Sequence, residues 1–185
     1  MQWNDHSNLE GKHAVLSPSS YHWLNYDDDK LRDRYKSLLA KDLGTRLHKW
    51  AEDTIRLGIK QPRSEKTLYM YVNDAIKFGM QVEQPLMFSW NCYGHADAIS
   101  FDEKTLRIHD LKTGETVAHM EQLEIYAALF CLEYSKDPHD FEIELRIYQT
   151  DQIAIFKPEP QDIIDIMNDI VHKDSVIEML RREEL

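Results

Sequence analysis

Tyr93-Gly94-His95-Ala96-Asp97-Ala98-Ile99-Ser100-Phe101 and Leu106-Arg107-Ile108-His109-Asp110-Leu111-Lys112, joined by Asp102-Glu103-Lys104-Thr105, decide how this chain folds. Both runs carry β-branched and aromatic residues around a short polar turn, the pattern of a β-hairpin. With Glu103 and Lys104 at the tip, Phe101 opposes Leu106, Ile99 opposes Ile108, and Asp97 opposes Asp110. Strand side chains alternate faces, so Asp97, Asp110 and Lys112 are expected on the side that carries Ile99, Phe101, Leu106 and Ile108. Two carboxylates facing each other at a Cβ separation of roughly 5 Å destabilise a sheet. Burying them at the end of an apolar stripe adds a desolvation cost. A hard divalent cation between them reverses the sign, because Mg²⁺ selects oxygen ligands. Two acids with a lysine beside them then make a candidate site for metal-dependent phosphodiester cleavage. The competing reading is a plain surface hairpin with charged residues.

Helical patterns precede the hairpin and mixed elements follow it. Residues 1–16 show no clear period and are expected to form an arm or irregular cover. Ser17 before Pro18 suggests a helix entry, and a short helix over 21–26 would turn Trp23 and Leu24 inward. Leu31, Tyr35, Leu38, Leu39, Leu43, Leu47 and Trp50 recur at helical spacing across 28–57, with Gly44 marking a break or a close contact. Ser64 is a capping candidate for a helix reaching about Phe78 and closed by Gly79. Residues 81–90 read as a strand that Pro85 places at an edge or bend. Residues 116–134 read as a helix, and 141–148 as a half-buried strand. Thr150-Asp151 turns into a strand over 152–157, and 159–180 is expected to be helical with a break near 172–174. The order implies one α/β or α+β layered domain: a helical region over about 17–79, a sheet core over about 80–157 and a terminal helix over about 159–182.

Bulk properties narrow the function classes. A chain of 185 residues, 42% hydrophobic and 30% charged, has enough apolar content for a full core. Cys92 and Cys131 lack metal-site spacing and fit reduced, buried residues of a cytoplasmic protein. No basic leader with an apolar run and no membrane-length stretch is present, so a cytoplasmic location is expected and no membrane partner. The net charge of −11 opposes a polyanion. Residues 27–66 soften that opposition, with eleven Lys or Arg against eight Asp or Glu.

Other side chains could serve the hairpin. His48 and Glu52, four apart, share a helix face, so His48 is either a ligand for a softer ion such as Mn²⁺ or a surface histidine paired with Glu52. Glu83 is a third acid on the neighbouring strand. Gln122 and Tyr126 are also four apart and could bond a phosphate or stack on an unpaired base, or simply pack as core neighbours. Strand parity puts His95 on the acid face and His109 on the other, and neither has zinc spacing.

His48, Gly94-His95-Ala96-Asp97, His109-Asp110-Leu111-Lys112-Thr113-Gly114 and Gln122-x-x-x-Tyr126, in that order, resemble the PD-(D/E)XK nuclease superfamily. Within it the set is most similar to the RecB-type and phage exonuclease branch. Leu16-Ser17-Pro18-Ser19-Ser20 resembles that branch's opening S-x-S segment, and the match spans about residues 16 to 126. The resemblance implies a central mixed sheet flanked by helices, a restriction-endonuclease-like core. It implies Mg²⁺ or Mn²⁺ held by His48, Asp97, Asp110 and the Leu111 carbonyl. Asp97, Asp110, Lys112 and, by position only, Glu83 would be catalytic. Gln122, Tyr126, Thr113 and Ser19 would bind substrate. Several branch members carry four cysteines for an iron–sulfur cluster, and this chain does not. The implied activity is an exonuclease acting on the ends of linear DNA in phage or bacterial recombination or repair. A structure-specific or single-strand endonuclease and a protein-binding module of nuclease fold stand as alternatives. Room remains for a recombinase or single-strand-binding partner and for a homo-oligomer.

Overall fold

A computed structural model describes residues 4–9, 14–114, 116 and 118–183. The chain falls into two compact units, Met1–Arg46 and Leu47–Leu185. The division lies inside helix α1 (Asp28–Arg56), which runs through Gly44 without a break.

In the first unit, Pro18–Asn25 forms a 3₁₀ segment with Pro18 opening it. Ser17 occupies the cap position, but its hydroxyl bonds Ser19 Oγ at 2.8 Å instead of a backbone amide. Trp23 is part-buried, its indole N–H donating to the Ser17 carbonyl. Leu24 is exposed, contrary to the helical-face expectation. A 3₁₀ turn repeats every three residues, so the apolar face deduced for an α-helix does not form there.

The second unit is a five-stranded mixed sheet with helices on both sides. After α2 (Thr67–Lys77) come β1 (Gln81–Ser89), β2 (Cys92–Phe101), β3 (Thr105–Lys112), α3 (Glu121–Tyr134), β4 (Glu142–Gln149), β5 (Gln152–Phe156) and α4 (Pro160–Glu183). Spatial order follows chain order, antiparallel throughout except for the parallel pair β3–β4 that α3 connects. Pro85 does lie on an edge strand, opposite His95 of β2.

Several boundaries differ from the sequence reading. Helix α2 starts at Thr67 with Lys66 at the cap position; Ser64 instead accepts the Lys66 N–H. Helix α3 starts at Glu121, five residues after Thr116, because backbone groups of the preceding loop bond Gln149 instead of continuing a helix. No break occurs at 172–174: α4 is continuous, with the Lys173–Asp169 pair one turn apart bridging that region.

Two apolar clusters sandwich the sheet. Leu86, Ala96, Ile99, Leu106, Ile108, Leu145 and Ile147 pack with Leu123, Ala127 and Phe130 of α3 and Ile163 of α4. On the other side Val82, Ala98, Leu111 and Tyr148 meet Tyr71, Val72 and Ala75 of α2 and Ala51 and Ile55 of α1. Each buried Leu or Ile removes enough apolar surface to contribute roughly 1.5–3 kcal/mol. The central β3–β4 pair is covered on both faces, as a parallel pair requires.

Candidate metal centre and nuclease-like site

The hairpin pairs as its alternation dictates for the apolar half: Phe101 with Leu106, Ile99 with Ile108, and Ala98 with His109. The ladder stops there. In place of a backbone bond between Asp97 and Asp110, the Leu111 N–H donates to Asp97 Oδ2 at 3.0 Å. The strands therefore part at the acids, and a carboxylate fills the opening.

A second irregularity lies on β1. Val82 pairs with Ala98 and Gln84 with Ala96, which leaves Glu83 opposite Asp97 without a ladder pair. Glu83 has φ 52°, the left-handed region that non-glycine residues occupy at a cost. Alternation then shifts by one residue: Ala98 belongs to the α1/α2 cluster, whereas Ala96 belongs to the α3/α4 cluster. Gly94 also lies on the α3 side, where an added Cβ would meet Tyr126 Cε1 at 2.9 Å. Asp97 sits at this crossover, so the expectation of one shared face for Asp97, Asp110 and Lys112 fails at Asp97. The β1–β2 register is unshifted across this point, so the change of face accompanies the left-handed backbone of Glu83, directly opposite Asp97, and not an inserted residue.

Asp97 turns toward α1, where its Oδ2 lies 3.5 Å from His48 Nδ1. His48, Glu83 and Asp97 each offer one ligand atom, and those atoms lie within 4.8 Å of one another. Glu52 is not part of the group. Lys49 and Arg56 hold its carboxylate at 3.0 and 2.9 Å, and the Lys49 hydrogen bond leads in lowering its pKa. His48 is therefore free of the surface pairing with Glu52.

Asp110 and Lys112 form the other half. Lys112 Nζ donates to Asp110 Oδ1 at 3.0 Å and to Gln122 Oε1 at 3.1 Å, and the Gln122 amide reaches the Tyr126 hydroxyl at 3.4 Å. This chain runs from β3 across the first turns of α3. Asp110 is almost wholly buried, and its Oδ2 has no hydrogen-bond partner. Burial first, and then the negative charge of Asp110, push the Asp97 carboxyl up to about 6; the Leu111 amide and His48 pull the other way. A protein that buries two carboxylates with an orphaned oxygen carries an uncompensated cost. Oxygen donors, one imidazole and that orphaned oxygen fit a divalent cation such as Mn²⁺ or Mg²⁺.

The remaining expected residues are placed more loosely. Thr113 is exposed just beyond Lys112. Ser19 belongs to the first unit. His95 is exposed and joins no metal-capable group among the described residues. His109 faces the other side of the sheet as parity requires: it is fully buried, near Tyr148, and burial lowers its pKa to about 3. Cys92 and Cys131 are free thiols.

Two residues near the site escaped the sequence reading. Tyr71 of α2 is buried, and its hydroxyl is held neutral first by that burial and then by the charges of Asp97, Asp110 and Glu83. Gln149, at the end of β4, pairs in register with Lys112. A helical Tyr at core spacing and a strand-end Gln carry no local signal that separates them from ordinary packing.

Comparison with known proteins adds little. No family model matches the chain, and no curated protein matches it. Among solved structures, one described as "Crystal structure of SSO0001" superposes with a TM-score of 0.35 at 13% identity, over 82% of this chain and 68% of that one. At that score the likeness carries no functional weight.

Proposed function

We propose that this protein is a divalent-metal-dependent deoxyribonuclease of PD-(D/E)XK type, acting as an exonuclease on the ends of linear DNA. The observation that carries the reading is the parted end of β2 and β3. There Asp97, His48 and Glu83 converge, and the unpartnered Asp110 oxygen lies on the residue that bonds Lys112. His48, Glu83, Asp97 and Asp110, with the Leu111 carbonyl, would hold Mg²⁺ or Mn²⁺. The bound ion would supply Lewis-acid activation of water and neutralise charge on the phosphoryl oxygens.

The chain's own groups divide the remaining work. Lys112, hydrogen-bonded to Asp110 and Gln122, would orient the attacking water and stabilise an anionic phosphoryl oxygen. Gln122 fixes the ammonium, and Tyr126 continues the hydrogen-bonded line on α3. A proton on Asp97 competes with a cation, so uptake would strengthen as pH rises through about 6, and a bound ion would offset the burial and the Asp110 repulsion that raise that pKa. Exonuclease action, its polarity, and any recombinase or single-strand-binding partner rest on the resemblance.

The net charge of −11 favours a second reading, a nuclease-fold protein that mainly binds another protein. One experiment separates the readings: end-labelled linear DNA and covalently closed circular DNA incubated with Mg²⁺ or Mn²⁺, wild type beside Lys112→Ala. Loss of linear DNA alone, abolished by the substitution, is expected. Nicking of the circle would move the assignment to an endonuclease. No cleavage of either by folded wild-type protein would leave the binding module.

A further inference from the structure

Gln149 makes an unusual use of its side chain. Its Nε2 donates to the Gly114 carbonyl at 2.6 Å and to the Thr116 carbonyl at 2.7 Å. Its Oε1 accepts the Ala118 N–H at 3.3 Å. A carboxamide offers two N–H donors and one carbonyl, so the whole group is spent on three backbone positions of one loop. That loop begins directly after Lys112 and ends at the turn that opens α3, two residues before Gln122. It therefore spans the two side chains that meet at 3.1 Å in the site.

The loop leaves the carboxyl ends of the parallel pair β3–β4, the edge at which open α/β sheets receive ligands. Its outer side is open: Thr113, Gly114 and Thr116 are exposed, and a Cβ built at Gly114 meets nothing within 4 Å. A loop of this kind loses conformational freedom when a strand lies against it, at about 1–2 kcal/mol per residue ordered. Ordering it in advance removes that cost from binding.

We propose that Gln149 is a positioning residue that holds the loop after Lys112 in the shape that receives the phosphodiester strand, and so sets affinity for DNA. The inference rests on the nuclease reading of the adjacent site. Gln149 touches neither the metal-ligand group nor Lys112 through its carboxamide, so its contribution falls on substrate engagement and not on the chemical step. Only an amide serves here. A carboxylate of the same shape could still accept the Ala118 N–H but would face the Gly114 and Thr116 carbonyls with no proton to share.

The test compares wild type with Gln149→Glu and Gln149→Ala. Anisotropy of a fluorescein-labelled oligonucleotide in Ca²⁺ reads binding, and cleavage in Mn²⁺ reads KM and kcat. Both variants are expected to raise the Kd and KM about tenfold with kcat within about twofold of wild type. The thermal shift produced by Mn²⁺ alone should be unchanged, and amide exchange at Ala118 should quicken in Gln149→Ala. Unchanged Kd in both variants overturns the proposal, as does a fall in kcat at constant KM or an absence of binding by wild type. Cleavage is read separately: wild-type protein that binds the oligonucleotide but cuts nothing in Mg²⁺ or Mn²⁺ removes the nuclease reading while the Kd comparison still decides the role of Gln149. If Gln149→Glu does not fold, Gln149→Ala carries the same comparison.

Discussion

Replacing Asp97 with Asn should stabilise the metal-free protein by an amount that grows between about pH 4 and 6 and is constant above. In the native protein the Asp97 carboxyl ionises at about 6, against 3.8 for the ordinary group, because it is buried beside Asp110. Between those values the native state keeps a proton that the unfolded state has lost. The raised pKa therefore contributes stability below about pH 4 that disappears as pH rises to about 6. The full displacement corresponds to about 3 kcal/mol. The side chain retains 19% exposure, and the coupled charge of Asp110 remains, so we expect about 2 kcal/mol to be recovered by Asn. The substituted carboxamide would be neutral at every pH and would keep an oxygen for the Leu111 N–H. In a domain of this size that amounts to a rise in Tm of about 4–8 °C.

The assay is thermal unfolding of wild type and Asp97→Asn in EDTA across the acid-to-neutral range. Comparing the two proteins removes the contributions of Asp102, Asp137 and Asp174, whose depressed pKa values give stability the opposite slope. Their Tm values should coincide below about pH 4, diverge between about pH 4 and 6, and stay apart by a constant amount above that, with the Asp97→Asn variant the more stable. Saturating Mn²⁺ should invert the order. A ligand at a hundred times its Kd stabilises the wild type by about 2.7 kcal/mol, and the substitution removes a ligand. A difference that stays flat with pH in EDTA would refute the burial argument, and Mn²⁺ stabilising both proteins equally would refute Asp97 as a ligand.

Three further outcomes follow from particular contacts. Glu83→Gly relieves a φ of 52° and removes a carboxylate beside Asp97, so metal-free Tm should rise by the equivalent of about 1 kcal/mol while the Mn²⁺-induced shift shrinks; a lower metal-free Tm would contradict the strain assignment. Gly94→Ala puts a methyl 2.9 Å from Tyr126 Cε1, and should cost about 1–3 kcal/mol in chemical denaturation as Tyr126 is forced to move; a neutral result would mean the contact is loose. Burial pushes the Cys131 thiol up to about 12, so Ellman's reagent near pH 8 should find at most one reactive thiol, Cys92, until denaturant is added; two fast thiols in the native protein would show that Cys131 is accessible.

Much of the scaffold was legible locally. Alternation of Ile99, Phe101, Leu106 and Ile108 set the hairpin pairing, because a slip of one residue would turn that whole set out of the core. Pro85 marked the edge strand, and Thr150-Asp151 marked the turn into β5, where both residues adopt positive φ. Element boundaries were less legible. The start of α3 at Glu121 depends on Gln149, which draws Gly114 and Thr116, 35 and 33 residues away from it, into hydrogen bonds that a helix would have used.

The identity of the acids belongs to the sequence, and their meeting belongs to the tertiary structure. Asp97, Asp110 and Lys112 could be named from a strand–turn–strand pattern because residues in one hairpin are tied by a short loop. Parity then predicted one shared face, and the positive φ of Glu83 overrode it by shifting the alternation at Asp97. No local rule announces that shift, since the strand propensities on either side are ordinary. His48 reaches Asp97 only because Ala51 and Ile55, one and two turns further along α1, are buried against the sheet beside Val82 and Ala98. Tyr71 and Gln149 entered the same way, through packing and hydrogen bonds between segments distant in the chain. Periodicity reports which side of an element is apolar; which elements then face one another is decided by burial summed over the whole core.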